Sequence, residues 1–305
     1  MSERNSVLPS SLASAWEPIA DQSRSNRALL LMAPLIVFEL LVFVVPFFIL
    51  LRISFAEESS DLVYAEGTWT LQAYVDVFTS GLLRSIVGYS FMLGIAVTLV
   101  TVVIAIFYAY AIWRSDGLIK SLLLFSVVLP LLTTLVIRTY AFQPLLSPTG
   151  TVNEILLSLG IINSSIQIVP STVGVVIGQT YIVLPYAVLA IYSVMATMDW
   201  HVVEAARDLG ASRPRSVLEV VVPQVMPGII VASVISFAWS VGAYAAPDLL
   251  SNSISFAMQV EDLMLSGLRY PLAAAFSVVM LVLMLVCIGV LFAVLNRFGG
   301  DFELA

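Results

Sequence analysis

DWHVVEAARDLGASRPRSVLEVVVP, residues Asp199 to Pro223, is polar and charged, while the sequence on either side of it is apolar enough for a membrane interior. The stretch must therefore lie outside the bilayer. Asp199 is suited to cap a short helix running through His201, Glu204 and Arg207, because its carboxylate accepts from backbone N–H groups that have no partner in the first turn. Gly210 is placed to end that helix, since glycine adopts the left-handed conformation at little cost. Ser212 and Pro214 then start a second helix. Two short helices joined at a glycine corner, held between two spans, make a rigid element that can push or be pushed.

Composition sets the class. With 60% hydrophobic and 11% charged residues over 305 positions, the chain is a multi-span protein of the lipid bilayer and not a soluble domain. The single cysteine, Cys287, leaves no internal disulfide, and its apolar surroundings make it a packing residue. A net charge of −7 argues against nucleic acid as a partner.

Outward from the central stretch, the apolar runs predict six spans and an all-α membrane fold. They are Ala28 to Leu51, Ile86 to Trp113, Leu118 to Ile137 with Pro130 inside it, Thr172 to Met198, about Val225 to Pro247, and Pro271 to Leu295. The spanning region is thus 28–297, with tails at 1–27 and 298–305. The first run is too long for a signal-peptide core and lacks a small-residue cleavage site. Leu12, Trp16 and Ile19 are spaced for a short interfacial helix in the N-terminal tail. Between the first two spans, Leu71, Tyr74, Val75 and Phe78 define one apolar helical face. Residues 139–170 mix prolines, glycines and asparagines into a structured loop, and Gly174 and Gly178 sit one turn apart on the fourth span.

Nine of the 13 basic residues, Arg4, Arg24, Arg27, Arg114, Lys120, Arg207, Arg213, Arg215 and Arg297, fall on the side of the termini. The positive-inside bias therefore predicts cytoplasmic termini and a cytoplasmic 199–223 loop.

Glu204, Ala205 and Ala206, followed after three residues by Gly210 and after nine more by Val220, Leu-like Val222 and Pro223, resemble the EAA loop of binding-protein-dependent ABC importer permeases. Valine stands here at the two aliphatic positions where that pattern has Ile and Leu. Farther out, WTLQAYVDVF, VLPLLTTLVIRTYAF (Val128 to Phe142), SPTGTVNEILLSLGI and RYPLAAAFSVVM (Arg269 to Met280) are similar to the spermidine/putrescine branch of these permeases. The resemblance implies a type I ABC importer permease fold in the cell inner membrane. It further implies a second permease subunit paired as a heterodimer, two cytoplasmic ATPase subunits that bind ATP and Mg, and an extracytoplasmic solute-binding protein. On this resemblance Glu204, Ala205, Ala206, Arg207, Gly210 and Pro223 couple the chain to the ATPases, and the solute is a polyamine or another small polar molecule.

The chain itself carries no cofactor motif. Its one lysine, Lys120, follows Ile119, so there is no Gly-Lys-Ser/Thr phosphate loop. An intramembrane enzyme would need nucleophiles, bases or metal ligands gathered at one depth. The one histidine, His201, lies at a span exit, and no His or Cys cluster suits zinc. A gradient-driven transporter remains the competing class, although no second copy of the glycine-cornered loop is present.

Candidates for the solute path are Glu39, Arg138, Tyr140, Trp239, Tyr244 and Asp248. Trp239, Tyr244 and Asp248 fall at helical spacings on the expected fifth span, where an aromatic and acidic face would suit an ammonium group; the alternative is interfacial aromatics packing against neighbours. Glu39 is either a protonated buried acid or a carboxylate on the path. Arg138 either caps carbonyls near Pro130 or answers an acid of the following loop.

Overall fold

A computed structural model of the chain describes residues 32–59 and 63–299. The expected tail at 1–27, with the interfacial helix through Leu12, Trp16 and Ile19, lies outside the described residues, as do 28–31 of the first span and 300–305 of the tail expected at 298–305; 298 and 299 continue the last helix. Among the described residues four helices are long and apolar enough to cross a membrane. Two bent pairs bring the number to six when each is taken as one span.

The chain divides into a unit ending at Ile53 and a second beginning at Ser54. The first contains α1 (Met32–Ile53), whose middle widens into a π-turn, Leu40–Val44, closed by the Val45 N–H on the Leu40 carbonyl. Pro46 follows directly after Val45. A proline cannot donate to the carbonyl four residues back, and its ring clashes with it; the wider turn carries the chain past that defect.

The second unit holds α2 (Gly81–Arg114), α3 (Gly117–Leu132), α4 (Thr172–Met195), α5 (Met226–Val241) and α6 (Tyr270–Gly299). The helices α2, α4 and α5 pack on one another, and α6 lies on α5. Ala105, Ala109 and Ile112 of α2, Ala187, Val188 and Ile191 of α4, and Ile229 and Ala232 of α5 share one buried cluster. Small side chains there let the helices approach closely, which matters in lipid, where helix association rests on packing. A Cβ at Gly228 would stand 2.8 Å from the Ala190 carbonyl oxygen, so α5 lies this close to α4 only with glycine at that position. Leu99, Val103 and Phe107 of α2 and Leu285 and Val286 of α6 point outward, as a lipid-facing surface requires.

Several elements depart from the sequence expectation. The second span begins at Gly81 because the Ser80 hydroxyl caps it, accepting the Leu83 N–H at 3.3 Å. The third span stops at Leu132: Pro130 tightens its end into a 3-10 turn, Thr133 and Thr134 are extended, and the chain bends by 108° into the segment starting at Leu135. Arg138 therefore lies on a short helix, Leu135–Tyr140, and not at the edge of a straight span. The fifth span ends at Val241, and a separate helix, Ala245–Leu250, follows. In one continuous helix Pro247 would clash with the Ala243 carbonyl; that carbonyl instead accepts the Ser255 hydroxyl at 3.1 Å. Trp239, Tyr244 and Asp248 thus do not share a helix face.

The helix expected between the first two spans forms over Gln72–Thr79, with its apolar stripe on the outward side. Ala73 and Val77 are buried and the helix packs on α6, whereas Leu71, Val75 and Phe78 are exposed. Within 139–170, buried Asn153 ties the loop together by donating to the Ser147 and Ile166 carbonyls and accepting the Ile166 N–H. The Gly174 and Gly178 pair admits the Ile168 carbonyl and the Leu250 side chain and not another span.

Candidate coupling loop and solute path

The 199–223 loop folds as two limbs. The Asp199 carboxylate accepts the His201 N–H at 3.0 Å and starts the helix Trp200–Asp208. Gly210 ends it with φ of +94°. The Gly210 N–H bonds to the Arg207 carbonyl at 2.9 Å and the Ala211 N–H to the Ala206 carbonyl at 3.1 Å, the paired bonds of a Schellman cap. The second limb runs through Arg213–Ser216, a π-turn at Val217–Val221 and Val222–Gln224, and bends by 69° into α5. Pro223 again stands two residues beyond the π-turn. Arg215 and Glu219 pair at 2.9 Å along this limb.

The first limb has two faces. Val203 is 1% exposed and sits in the cluster shared by α2, α4 and α5. Val202, Ala205 and Leu209, spaced to share the opposite stripe, are exposed, and Leu209 is 90% so. Sequence reasoning passed over Leu209 because a leucine in a hydrophobic chain carries no signal; its place beside the glycine corner of the one polar loop was the available clue. Ala206 is half-buried. Glu204 is engaged within its own helix, accepting the Trp200 indole N–H at 2.7 Å and lying 3.2 Å from His201 Nδ1. Arg207 edges two cavities, one at the corner with Glu204 and Asp208 and one on the inner side with Arg114 and Trp200.

At the other end of α5 lies a cavity of about 510 Å³ between Leu135 and Val136, Gln179 and Ile182 of α4, and the chain from Ala238 to Ala246. Of the path candidates it brings together Trp239 and Tyr244; Arg138, Tyr140 and Asp248 lie off its wall, and Glu39 belongs to the first unit. Trp239 stacks on Tyr186 with ring centroids 5.5 Å apart. Tyr244, beyond the end of α5, has its pKa pushed up to about 12, first by a hydrogen bond to the Glu261 carboxylate, then by burial and by the negative charges of Asp248 and Glu261, all of which disfavour the phenolate.

Gln179 was not singled out from the sequence. It is 1% exposed, and neither of its amide atoms has a hydrogen-bond partner among the described residues. An amide within a membrane span was the missed signal, since polar groups at membrane depth tend to be functional. Arg138 likewise keeps Nε and Nη1 buried without a partner among the described residues.

Comparison with known proteins follows from this geometry. Residues 101–298 match the family described as binding-protein-dependent transport system inner membrane component. The spermidine/putrescine transport system permease protein PotB of Haemophilus influenzae is 30% identical over 86% of this chain and 93% of its own length. PotB of Escherichia coli is 30% identical over 73% of this chain and 82% of its own. In fold, the chain is similar to a chain in the crystal structure of a bacterial alginate ABC transporter in complex with an alginate pentasaccharide-bound periplasmic protein, with a TM-score of 0.76 over 94% of this chain and 99% of that one, at 18% identity. The helical fold, the glycine-cornered loop and a family match across most of the chain agree: it belongs to the inner-membrane permease components of binding-protein-dependent ABC import systems.

Proposed function

We propose that this chain is the permease subunit of an ATP-driven importer of polyamines such as spermidine or putrescine. The observation that carries the reading is the 30% identity to a spermidine/putrescine permease over 86% of the chain. Trp239 and Tyr244 lining one cavity, with Glu261 and Asp248 acting on Tyr244, support it, because aromatic rings and carboxylates attract ammonium groups. In this reading both termini are cytoplasmic, and two ATPase subunits holding ATP and Mg grip the loop through Glu204, Ala205, Ala206, Arg207 and Gly210, with Leu209 as the apolar anchor. Pro223 sets the direction of the second limb. A second permease subunit completes the path as a heterodimer, and an extracytoplasmic binding protein delivers the solute. ATP binding draws the ATPases together and the loops with them, so the permease pair opens outward; hydrolysis lets it relax inward.

The test is a ligand screen on the cognate binding protein followed by ATP-dependent spermidine uptake into proteoliposomes holding both permeases and the ATPases. Spermidine or putrescine binding and uptake are expected. One observation favours a second reading, a small oxyanion as solute: Arg138 Nε and Nη1 are buried without a partner among the described residues. Sulfate or phosphate binding in the same screen, with no polyamine binding, would select it.

A further inference from the structure

The loop is joined covalently to α4 and α5, but its hold on α2 is made by side chains alone. Val203 is buried in the cluster that also holds Ile112 of α2. Trp200 is touched from three directions. Trp113 meets its ring edge-on at 5.2 Å, the Arg114 guanidinium lies 3.8 Å over its face, and its indole N–H donates to Glu204 Oε1 at 2.7 Å. Trp113 and Arg114 are the last two residues of α2. The arginine is well placed twice over, at the negative end of a 34-residue helix and above an indole, the best of the aromatic faces for a cation. Tyr110, one turn back, packs against Trp113 at 6.1 Å and supports it from behind.

We propose that Trp200 is a positioning residue that latches the first limb of the loop to the end of α2, with Glu204 orienting the indole. The inference rests on the reading of the loop as the element that an ATPase moves. Neither covalent link transmits displacement along a helix axis: the chain leaves α4 through a turn at Ala196–Met198, and the second limb is bent by 69° from α5. A latch to α2 ties the loop's movement directly to a helix that packs against both α4 and α5. The groups that hold Trp200 belong to α2 and to its own helix, while the exposed stripe of Val202, Ala205 and Leu209 is left for the motor. Glu204 serves both roles, so latching is separable from docking at Trp200 and Arg114 and not at Glu204.

The experiment uses the full assembly in proteoliposomes, with spermidine-loaded binding protein, and measures ATP hydrolysed and spermidine imported per complex. Trp200→Ala is expected to leave ATPase copurification unchanged while raising the ATP consumed per spermidine about fivefold or more. Trp200→Phe keeps the ring for Trp113 and Arg114 and is expected to restore most of the ratio; Arg114→Lys is expected to stay close to native and Arg114→Glu to resemble Trp200→Ala. A native ratio in both Trp200→Ala and Arg114→Glu would overturn the latch. Loss of ATPase copurification in Trp200→Ala would also overturn it, by making Trp200 a docking residue. Should Trp200→Ala fail to insert, the Arg114 pair decides alone, because Lys and Glu differ at an exposed position. If the native assembly shows no ATP-dependent spermidine uptake, the importer reading itself fails, and that outcome is distinct from a latch variant failing beside an active native control.

Discussion

Replacing Gly210 tests the corner most directly. Its φ of +94° lies where side chains are strained, yet a Cβ built there meets nothing within 4 Å, so the cost of substitution is backbone strain without steric clash. For an L residue that strain is about 1–2 kcal/mol, and asparagine bears it best among the alternatives. Such a cost corresponds to a roughly 5–30-fold loss in the population of the closed corner. The route of relief is unwinding of the last turn, which gives up the bonds from the Gly210 and Ala211 N–H groups to the Arg207 and Ala206 carbonyls. Uptake per ATP in proteoliposomes is therefore expected to fall in the order glycine, Gly210→Asn, Gly210→Ala, Gly210→Val, with equal amounts of each protein in the membrane by immunoblot. Native uptake by Gly210→Val at native protein levels would refute the claim that a fixed corner transmits force.

Other perturbations separate docking, packing and solute contact. Leu209→Asp removes an apolar anchor whose burial against a partner contributes about 1.5–3 kcal/mol, so ATPase copurification should drop tenfold or more; unchanged recovery would remove Leu209 from the interface. Gly228→Ala forces a Cβ to 2.8 Å from the Ala190 carbonyl oxygen and should lower thermal stability in detergent by about 1–3 kcal/mol. Gly289→Ala, where a Cβ meets nothing within 4 Å, serves as its neutral control; equal melting of the two would contradict the close approach of α4 and α5. Trp239→Ala breaks the stack on Tyr186 and should reduce spermidine uptake severalfold while Trp239→Phe retains most of it, measured at saturating binding protein.

The loop was legible before any coordinates because its signals are local. Asp199 and Gly210 act on their own helix ends, so residue type and spacing suffice to place them. The apolar runs likewise marked where the chain crosses the bilayer. The breaks were harder to see. Pro130 marks a break, but the 108° bend needs Thr133 and Thr134 extended, a choice that packing makes; Pro247 cannot continue the fifth span, and the Ala243 carbonyl it leaves is answered by distant Ser255. The side by which Gln72–Thr79 packs on α6, through Ala73 and Val77, was hidden for a related reason. In a membrane protein, exposed and buried residues are both apolar, so periodicity shows that a helix has an apolar side without showing which side meets α6. The contacts of Trp200 with Trp113 and Arg114 were illegible because they join residues far apart in the sequence.

The two π-turns, Leu40–Val44 and Val217–Val221, each stand just ahead of a proline. A wide turn holds one residue more than an α-turn, and one residue is worth about 100° of rotation about the axis. The extra residue is taken up inside the turn, so the helix on either side keeps its heading. Deleting Val220 would close the second turn as an α-turn and bring the Pro223 ring against the Leu218 carbonyl, a conflict that the wide turn avoids and that no substitution scan along this limb would reveal.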